Sequence, residues 1–296
     1  MMSTSYTSQQ IEAIKYSGNL VIAACPGSGK TTVVKEKVRN ITLTLKDHQG
    51  VIAISFTKKA SFELKRKCKA EGHNTKQSFF GTIDKFCLEE IIFPFLSQLW
   101  KGRPRESTII DKLNNKQKGF FREVYKYPTV NDIILDNGFK LLYKQGYLWI
   151  EALPALALYI LNKSESAVRY IKAKFTHIFL DEYQDTSKAQ HHLFMKLVEL
   201  GLIGTAVGDV NQSIYNFRGS SSDYLRELLS SKFFKKIYVD TNHRCHISIN
   251  NYASRLLDPY FSIEDHQEEC RVYRLKLTGD YSEISKDISE MALLHK

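Results

Sequence analysis

Residues 20–32 read LVIAACPGSGKTT. The apolar run LVIAA (20–24) leads into a glycine-rich turn, and TTVVKEKVRNITLTL (31–45) then has helical length and spacing. The segment is strand, loop, helix. Its loop fits the pattern G-x-x-x-x-G-K-[ST] except at the first glycine, where Ala24 stands. Gly27 and Gly29 let a backbone wrap closely around a phosphate without a Cβ clash. The N–H groups of residues 27 to 32 then point inward at a helix N-terminus, where the dipole favours an anion. Lys30 adds a point charge for the β and γ phosphates, and the Thr31 hydroxyl is placed to ligate Mg²⁺. A glycine-rich turn that binds nothing is the plain alternative. The strand before the loop, the Lys-Thr pair and the helix after it argue against that.

Working outward, VIAISF (51–56) is a second buried strand, followed by a basic helix from Lys58 to about Lys69. FTHIFLDE (175–182) is a third strand that ends in carboxylates, LIGTAVGD (202–209) a fourth and KKIYVD (235–240) a fifth, followed by a helix across Ile247–Leu257. Apolar strands alternating with helices predict an α/β fold around a parallel sheet. The stretch from about Leu88 to Ser166 breaks the rhythm, being mostly helical and rich in Tyr, Phe and Lys. It reads as an inserted helical subdomain. RVYRLKL (271–277) looks like one more strand. The expected division is therefore a sheet domain at 1–88 and 166–257, an insertion at 89–165, and the start of an incomplete further domain at 258–296.

The bulk properties narrow the class. Hydrophobic residues make up 43% and charged residues 25%, which leaves disorder without support. The net charge of +10 favours a polyanionic partner without proving one. Five cysteines without a CxxC pair argue against a zinc site or a disulfide framework and fit a reducing, cytoplasmic setting. The start MMSTSYTSQQ lacks the pattern of a signal peptide. The longest apolar run, Tyr147 to Leu161, is interrupted by Glu151 and Pro154; it is too short to span a bilayer and reads as a buried helix, so no membrane partner is expected.

HIFLDEYQD (177–185) places Asp181 and Glu182 at the C-terminal end of a strand, the edge where open parallel sheets bind ligands. Asp181 is the expected partner of Mg²⁺, and Glu182 is placed to polarise an attacking water. Adjacent residues of a regular strand face opposite ways. This strand is ending, so both acids have a route to one site.

With these motifs assembled, the chain resembles the UvrD/Rep-like superfamily 1 DNA helicases. DEYQD resembles their second signature, VGDVNQSIYNFRGS (207–220) the third, QQIEAI (9–14) the N-terminal glutamine motif, ISFTKKASFELKRK (54–67) motif Ia, GTIDKFC (81–87) the next signature, and TNHRCHISI (241–249) motif IV. The resemblance implies a RecA-like P-loop NTPase domain and ATP with Mg²⁺ as cofactors. It implies an ATP site of Gln10 at the adenine edge, the loop Ala24, Cys25, Pro26, Gly27, Ser28, Gly29, Lys30, Thr31 and Thr32, and His243. Gln212 would sense the γ-phosphate and Arg244 would act as an arginine finger. Single-stranded DNA would lie along Phe56, Thr57, Lys58, Thr82, Tyr215 and Phe217, with Phe217 stacking on a base. Aromatic platforms interleaved with cations and hydroxyls suit such a track, because stacking tolerates any base while phosphates give affinity.

The chain also departs from the family's pattern. His243 stands where a tyrosine is usual, Thr32 where an arginine is common and Asp84 where a histidine is common, and the family's later signatures are not found in residues 258–296. The first expectation is an ATP-dependent motor moving 3′ to 5′ on single-stranded DNA. The second is a nucleotide-dependent DNA sensor that controls a partner nuclease in DNA repair or phage defence. Gabija-type defence, which pairs a UvrD-like protein with an OLD-family nuclease, is one such system, and no motif selects it. A small-molecule P-loop kinase would use Lys30 and Thr31 but leaves VGDVNQSIYNFRGS unaccounted for. Among weaker features, His191-His192 is expected on a surface or DNA-facing side. The basic run Lys58 to Lys69 is expected to contact phosphate, and Cys25 to be sensitive to oxidation. His243-x-x-His246 lacks a third metal ligand nearby.

Overall fold

The computed structural model describes residues 6–102, 104, 106–212, 222–264, 269 and 271–272. Two compact units divide at 241/242. The first is built on six parallel strands in the spatial order β3-β2-β6-β7-β1-β8. These are β1 (Leu20–Ala24), β2 (Gly50–Ile54), β3 (Phe79–Gly81), β6 (Phe175–Leu180), β7 (Ile203–Gly208) and β8 (Lys235–Val239). Two further strands, β4 (Thr108–Ile110) and β5 (Tyr147–Trp149), pair in parallel as a separate small sheet.

The near-continuous apolar runs are explained by burial on both faces. Alternate residues enter two cores: Val21, Ile52, Ile54, Ile178, Leu180 and Ala206 pack on one side, and Leu20, Ile22, Val51, Ala53, Phe179 and Val207 on the other. The helices Lys30–Thr44 and Lys58–Lys69 cover the second side through Val33, Val34, Val38, Leu64 and Cys68. The helices Leu153–Lys163 and Lys188–Glu199 cover the first. The stretch between β3 and β6 is mostly helical, and its residues Phe139, Leu142, Leu148 and Trp149 join the same apolar cluster as that sheet face.

Three local readings are corrected. The run from Tyr147 to Leu161 is not one helix: β5 is followed by a 3₁₀ turn (Ile150–Ala152), and the helix begins at Leu153 with Pro154 in its first turn. Proline is tolerated there because the first-turn N–H has no intrahelical acceptor to lose. The strand β3, which ends at Gly81 where the GTIDKF segment begins, was not expected; at three residues it is too short to show a period. His191 is not on a surface. It is buried, with its ring Nδ1 2.9 Å from the Tyr183 hydroxyl, while His192 beside it is exposed. No helix among the described residues is long and apolar enough to cross a membrane. Most of RVYRLKL lies outside the described residues.

In the second unit, the helix Ile247–Leu257 follows a turn in which Asn242 Oδ1 accepts the N–H groups of Arg244 (2.8 Å) and Cys245 (3.0 Å).

Candidate nucleotide and nucleic-acid site

The strand order positions the site. β6, β7 and β1 are consecutive neighbours, so their C-terminal ends offer the acids 181–182, Asp209 and the loop 25–31 side by side. Neighbouring strands lie about 4.8 Å apart, which sets the β6 and β1 ends about 10 Å apart. A triphosphate is of that scale, and a lysine side chain reaches across most of it.

The loop after β1 is shaped by two residues in the left-handed region, Gly27 (φ 72°) and Gly29 (φ 81°). A Cβ on Gly29 would lie 2.8 Å from Gln10 Nε2, so the position is closed to side chains by both backbone and space. Ser28 closes the turn, its hydroxyl donating to the Cys25 carbonyl at 2.7 Å. Gly29 precedes the helix Lys30–Thr44, and no side chain caps that N-terminus. Its first-turn N–H groups therefore face the loop as an anion site would require. Ala24, in the place of the usual first glycine, is the last residue of β1 and is extended, so its Cβ is accommodated. Cys25 is half-buried. Its thiol donates to the Asp240 carbonyl, and burial pushes its pKa up, which disfavours the thiolate form.

Gln10 is buried, and each end of its amide makes one hydrogen bond, which leaves a second N–H on Nε2. Its Oε1 accepts the Thr7 N–H at 2.9 Å in a capping box, and its Nε2 donates to the Ser28 carbonyl at 2.9 Å. The helix Ser8–Lys15 is thus tied to the phosphate loop. Its other end is tied too: Lys37, on the loop's own helix, donates to the Ala13 (2.9 Å) and Tyr16 (2.6 Å) carbonyls.

Across the site, Glu182 adopts φ 54°, ψ 45°, a left-handed conformation uncommon for a residue with a side chain. That turn breaks strand alternation, and both Asp181 and Glu182 line one cavity. Glu182 Oε2 lies 3.7 Å from Lys30 Nζ. Burial and the Glu182 charge push the Asp181 carboxyl up to about 6, with Lys30 and the Glu182 N–H pulling the other way. A carboxylate in this setting is one that a cation relieves, and Mg²⁺ carried by a nucleotide needs only one or two such protein ligands. The residues present fit that ion.

Sequence reading singled out the acids but missed the amide that connects them to the next motif. Gln184 is buried; its Nε2 donates to Glu182 Oε2 (2.9 Å), and its Oε1 accepts the Asp209 N–H (3.0 Å). Asp209, also buried, accepts the Asn211 N–H (2.9 Å) and the Gln212 Nε2 (2.9 Å). Gln184 and Asp209 both stand inside motifs quoted above; spacing shows the motifs but not that they are wired to each other.

The residues expected along DNA fall in three groups. Phe56 and Thr82 line the same cavity as Asp181 and Glu182. Thr57 and Thr82 also serve as helix caps, accepting the Ala60 N–H (3.1 Å) and the Lys85 N–H (3.4 Å), and Lys58 is exposed. Tyr215 and Phe217 lie outside the described residues. The cavity also contains Asp84, whose carboxyl is pushed up to about 6 by burial and then by Glu151. His243 and Arg244 are exposed in the second unit.

The UvrD/REP helicase N-terminal domain family matches residues 6–126 and 112–235. The chain is 33% identical over 251 residues to the Gabija protein GajB of Bacillus cereus (strain VD045), covering 82% of this chain and 47% of that one. It is 26% identical over 356 aligned positions to the ATP-dependent DNA helicase PcrA of Staphylococcus epidermidis (strain ATCC 35984), covering 98% of this chain and 47% of that one. The crystal structure of Pif1 helicase from Candida albicans aligns with a TM-score of 0.41 at 11% identity, over 86% of this chain and 43% of that one. The chain thus spans about half the length of the curated relatives it matches. On the extent of the family match, this chain belongs to the UvrD/REP helicase N-terminal domain family.

Proposed function

We propose that this chain is the ATP-binding half of a DNA translocase that couples ATP hydrolysis to 3′ to 5′ movement on single-stranded DNA. The observation that carries the reading is the 3.7 Å approach of Lys30 Nζ to Glu182 Oε2, which brings the lysine of the phosphate loop within reach of the acidic strand end. The polarity rests on family resemblance.

In this reading the loop N–H groups and Lys30 hold the β and γ phosphates, Gln10 addresses the adenine edge, Thr31 with Asp181 holds Mg²⁺, and His243 is assigned to the nucleotide by resemblance alone. When bound, that ion screens the phosphate charge. Glu182 accepts the proton of the attacking water, and Gln184 orients its carboxylate. Gln212, whose amide donates to Asp209, senses the γ-phosphate or the attacking water in this reading, and Arg244 supplies charge to the transition state. The division into a motor domain at 1–88 and 166–257, an insertion at 89–165 and a further domain from 258 belongs to the same proposal, as does a cytoplasmic setting. One motor domain cannot both grip and advance, so stepping also needs a second.

The test is ATP hydrolysis with and without single-stranded DNA, for the wild type and for Glu182→Gln. DNA-stimulated turnover in the wild type that is lost in the variant, with ATP binding kept, is the expected result. Equal turnover in the two proteins removes Glu182 from its role. A second reading is favoured by the similarity to the Gabija protein GajB: a nucleotide-dependent DNA sensor that controls a partner nuclease. Nucleotide-dependent DNA binding with negligible turnover would select it.

A further inference from the structure

The helix Lys58–Lys69 buries Ser61, Leu64 and Cys68, and the opposite side carries Phe62, which is 67% exposed. At about 100° per residue, Lys58, Lys59, Lys65, Arg66 and Lys69 all fall within about 60° of Phe62 around the helix axis. The nearest neighbours of the ring along the surface, at i−4, i−3, i+3 and i+4, are therefore all cations. The single acid of the helix, Glu63, points about 100° away. No carboxylate among the described residues ion-pairs with any of these five cations.

A lone exposed phenylalanine is ordinary, and so is a basic helix face. The combination is more selective. Five unneutralised like charges on one face repel one another, and an exposed ring at their centre gains nothing from water. A polyanion relieves the repulsion. Duplex DNA supplies phosphates but keeps its base faces stacked, whereas a single strand supplies both phosphates and free base faces. We propose that this face is a single-stranded nucleic-acid platform on which Phe62 stacks with a base while Lys58, Lys59, Lys65, Arg66 and Lys69 hold the flanking phosphates. This rests on the DNA-binding reading above and extends it from the helix cap at Thr57 along the helix.

The test uses the full chain and fluorescence anisotropy with a labelled oligo(dT) and with a duplex of the same length. Phe62→Ala is expected to weaken oligo(dT) binding roughly 5- to 150-fold, with Phe62→Trp restoring it. Duplex binding should be unchanged by Phe62→Ala. Replacing Lys65 and Arg66 by Gln should weaken both ligands and flatten the dependence on salt. Because Phe62 is exposed, loss of fold is not the expected consequence of its truncation, and circular dichroism checks this. Wild type that binds oligo(dT) while Phe62→Ala binds equally well overturns the platform and leaves the broader reading standing. Wild type that binds no oligo(dT) overturns both. A Phe62→Ala defect confined to polyglutamate would assign the face to an acidic protein and overturn the nucleic-acid proposal.

Discussion

The Lys30 ammonium and the Glu182 carboxylate form an ion pair across the site at 3.7 Å, with Lys30 the less exposed partner. A bound γ-phosphate would compete with Glu182 for that ammonium. Removing the charge of Glu182 should therefore leave ATP affinity equal to or tighter than that of the wild type. Turnover should fall at least about 100-fold, the scale of a lost general base. Lys30→Ala should do the reverse to binding, weakening ATP by an order of magnitude or more. Equilibrium binding of a fluorescent ATP analogue, set beside steady-state turnover, separates the two effects. Weaker ATP binding in Glu182→Gln would mean the carboxylate helps to hold the nucleotide.

Gln184 joins Glu182 to Asp209 with both ends of its amide. Gln184→Leu leaves the Asp209 N–H without that acceptor and Glu182 free to turn. The expected cost is roughly 1–3 kcal/mol of stability, with the single-turnover rate reduced more than ATP affinity. Gly208→Ala should act in the same direction, because its Cβ would fall 2.7 Å from Gln184 Oε1. Rapid-quench hydrolysis and thermal melts on both variants check this. Unchanged rates would make Gln184 a packing residue only.

The sheet, the loop and the strand-end acids were legible because each is a local pattern: an apolar run, a glycine pair before Lys-Thr, two carboxylates after FTHIFL. The helix at Lys58–Lys69 was legible for the same reason, with Ser61, Leu64 and Cys68 inward at helical spacing, and the helix Ile247–Leu257 also has the bounds expected. What was hidden depends on pairs far apart in sequence. His191 carries no sign in its neighbourhood that Tyr183 and helix packing bury it. The Tyr147–Leu161 run looked helical throughout because apolarity does not reveal that Tyr147–Trp149 pairs with Thr108–Ile110. Lys37 looks like any solvated lysine of a basic helix until the carbonyls of Ala13 and Tyr16 are seen around it.

That buried ammonium has a pH signature. Burial pulls the Lys37 pKa down to about 8. The folded-state value lies below the unfolded value of about 10.4, so the folded chain gives up its proton first. The cost of burying the charge is fully present below pH 8. It fades as pH rises from 8 towards 10.4, where the unfolded chain binds the proton that the folded chain lacks. Relative to Lys37→Met, the wild type should gain on the order of 1–3 kcal/mol across that interval. Denaturant melts of both proteins at pH 7 and pH 10 measure the difference. A parallel pH dependence in the two proteins would show that Lys37 keeps an ordinary pKa.

Asp84 gives the opposite sign in a more exposed place. Its carboxyl is pushed up to about 6, first by burial and then by the charge of Glu151, and it shares its cavity with Asp181, Glu182 and Asp185. The folded value exceeds the unfolded one, so the favourable contribution of protonated Asp84 is complete below about pH 3.9 and is lost as pH rises through 6. Above that, an ionised Asp84 faces other carboxylates in a half-buried position. Asp84→Asn should therefore stabilise the protein by roughly 1–3 kcal/mol at pH 7.5, with the advantage shrinking towards pH 4. The same charge bears on DNA, because Phe56 and Thr82 line this cavity. If the strand passes here, ionising Asp84 repels its phosphates, and wild-type affinity for oligo(dT) should fall between pH 5.5 and 7.5 by more than that of Asp84→Asn. Identical pH profiles in the two proteins would place the strand away from Asp84. A stability gain in the variant that does not depend on pH would show that Asp84 is not the titrating group.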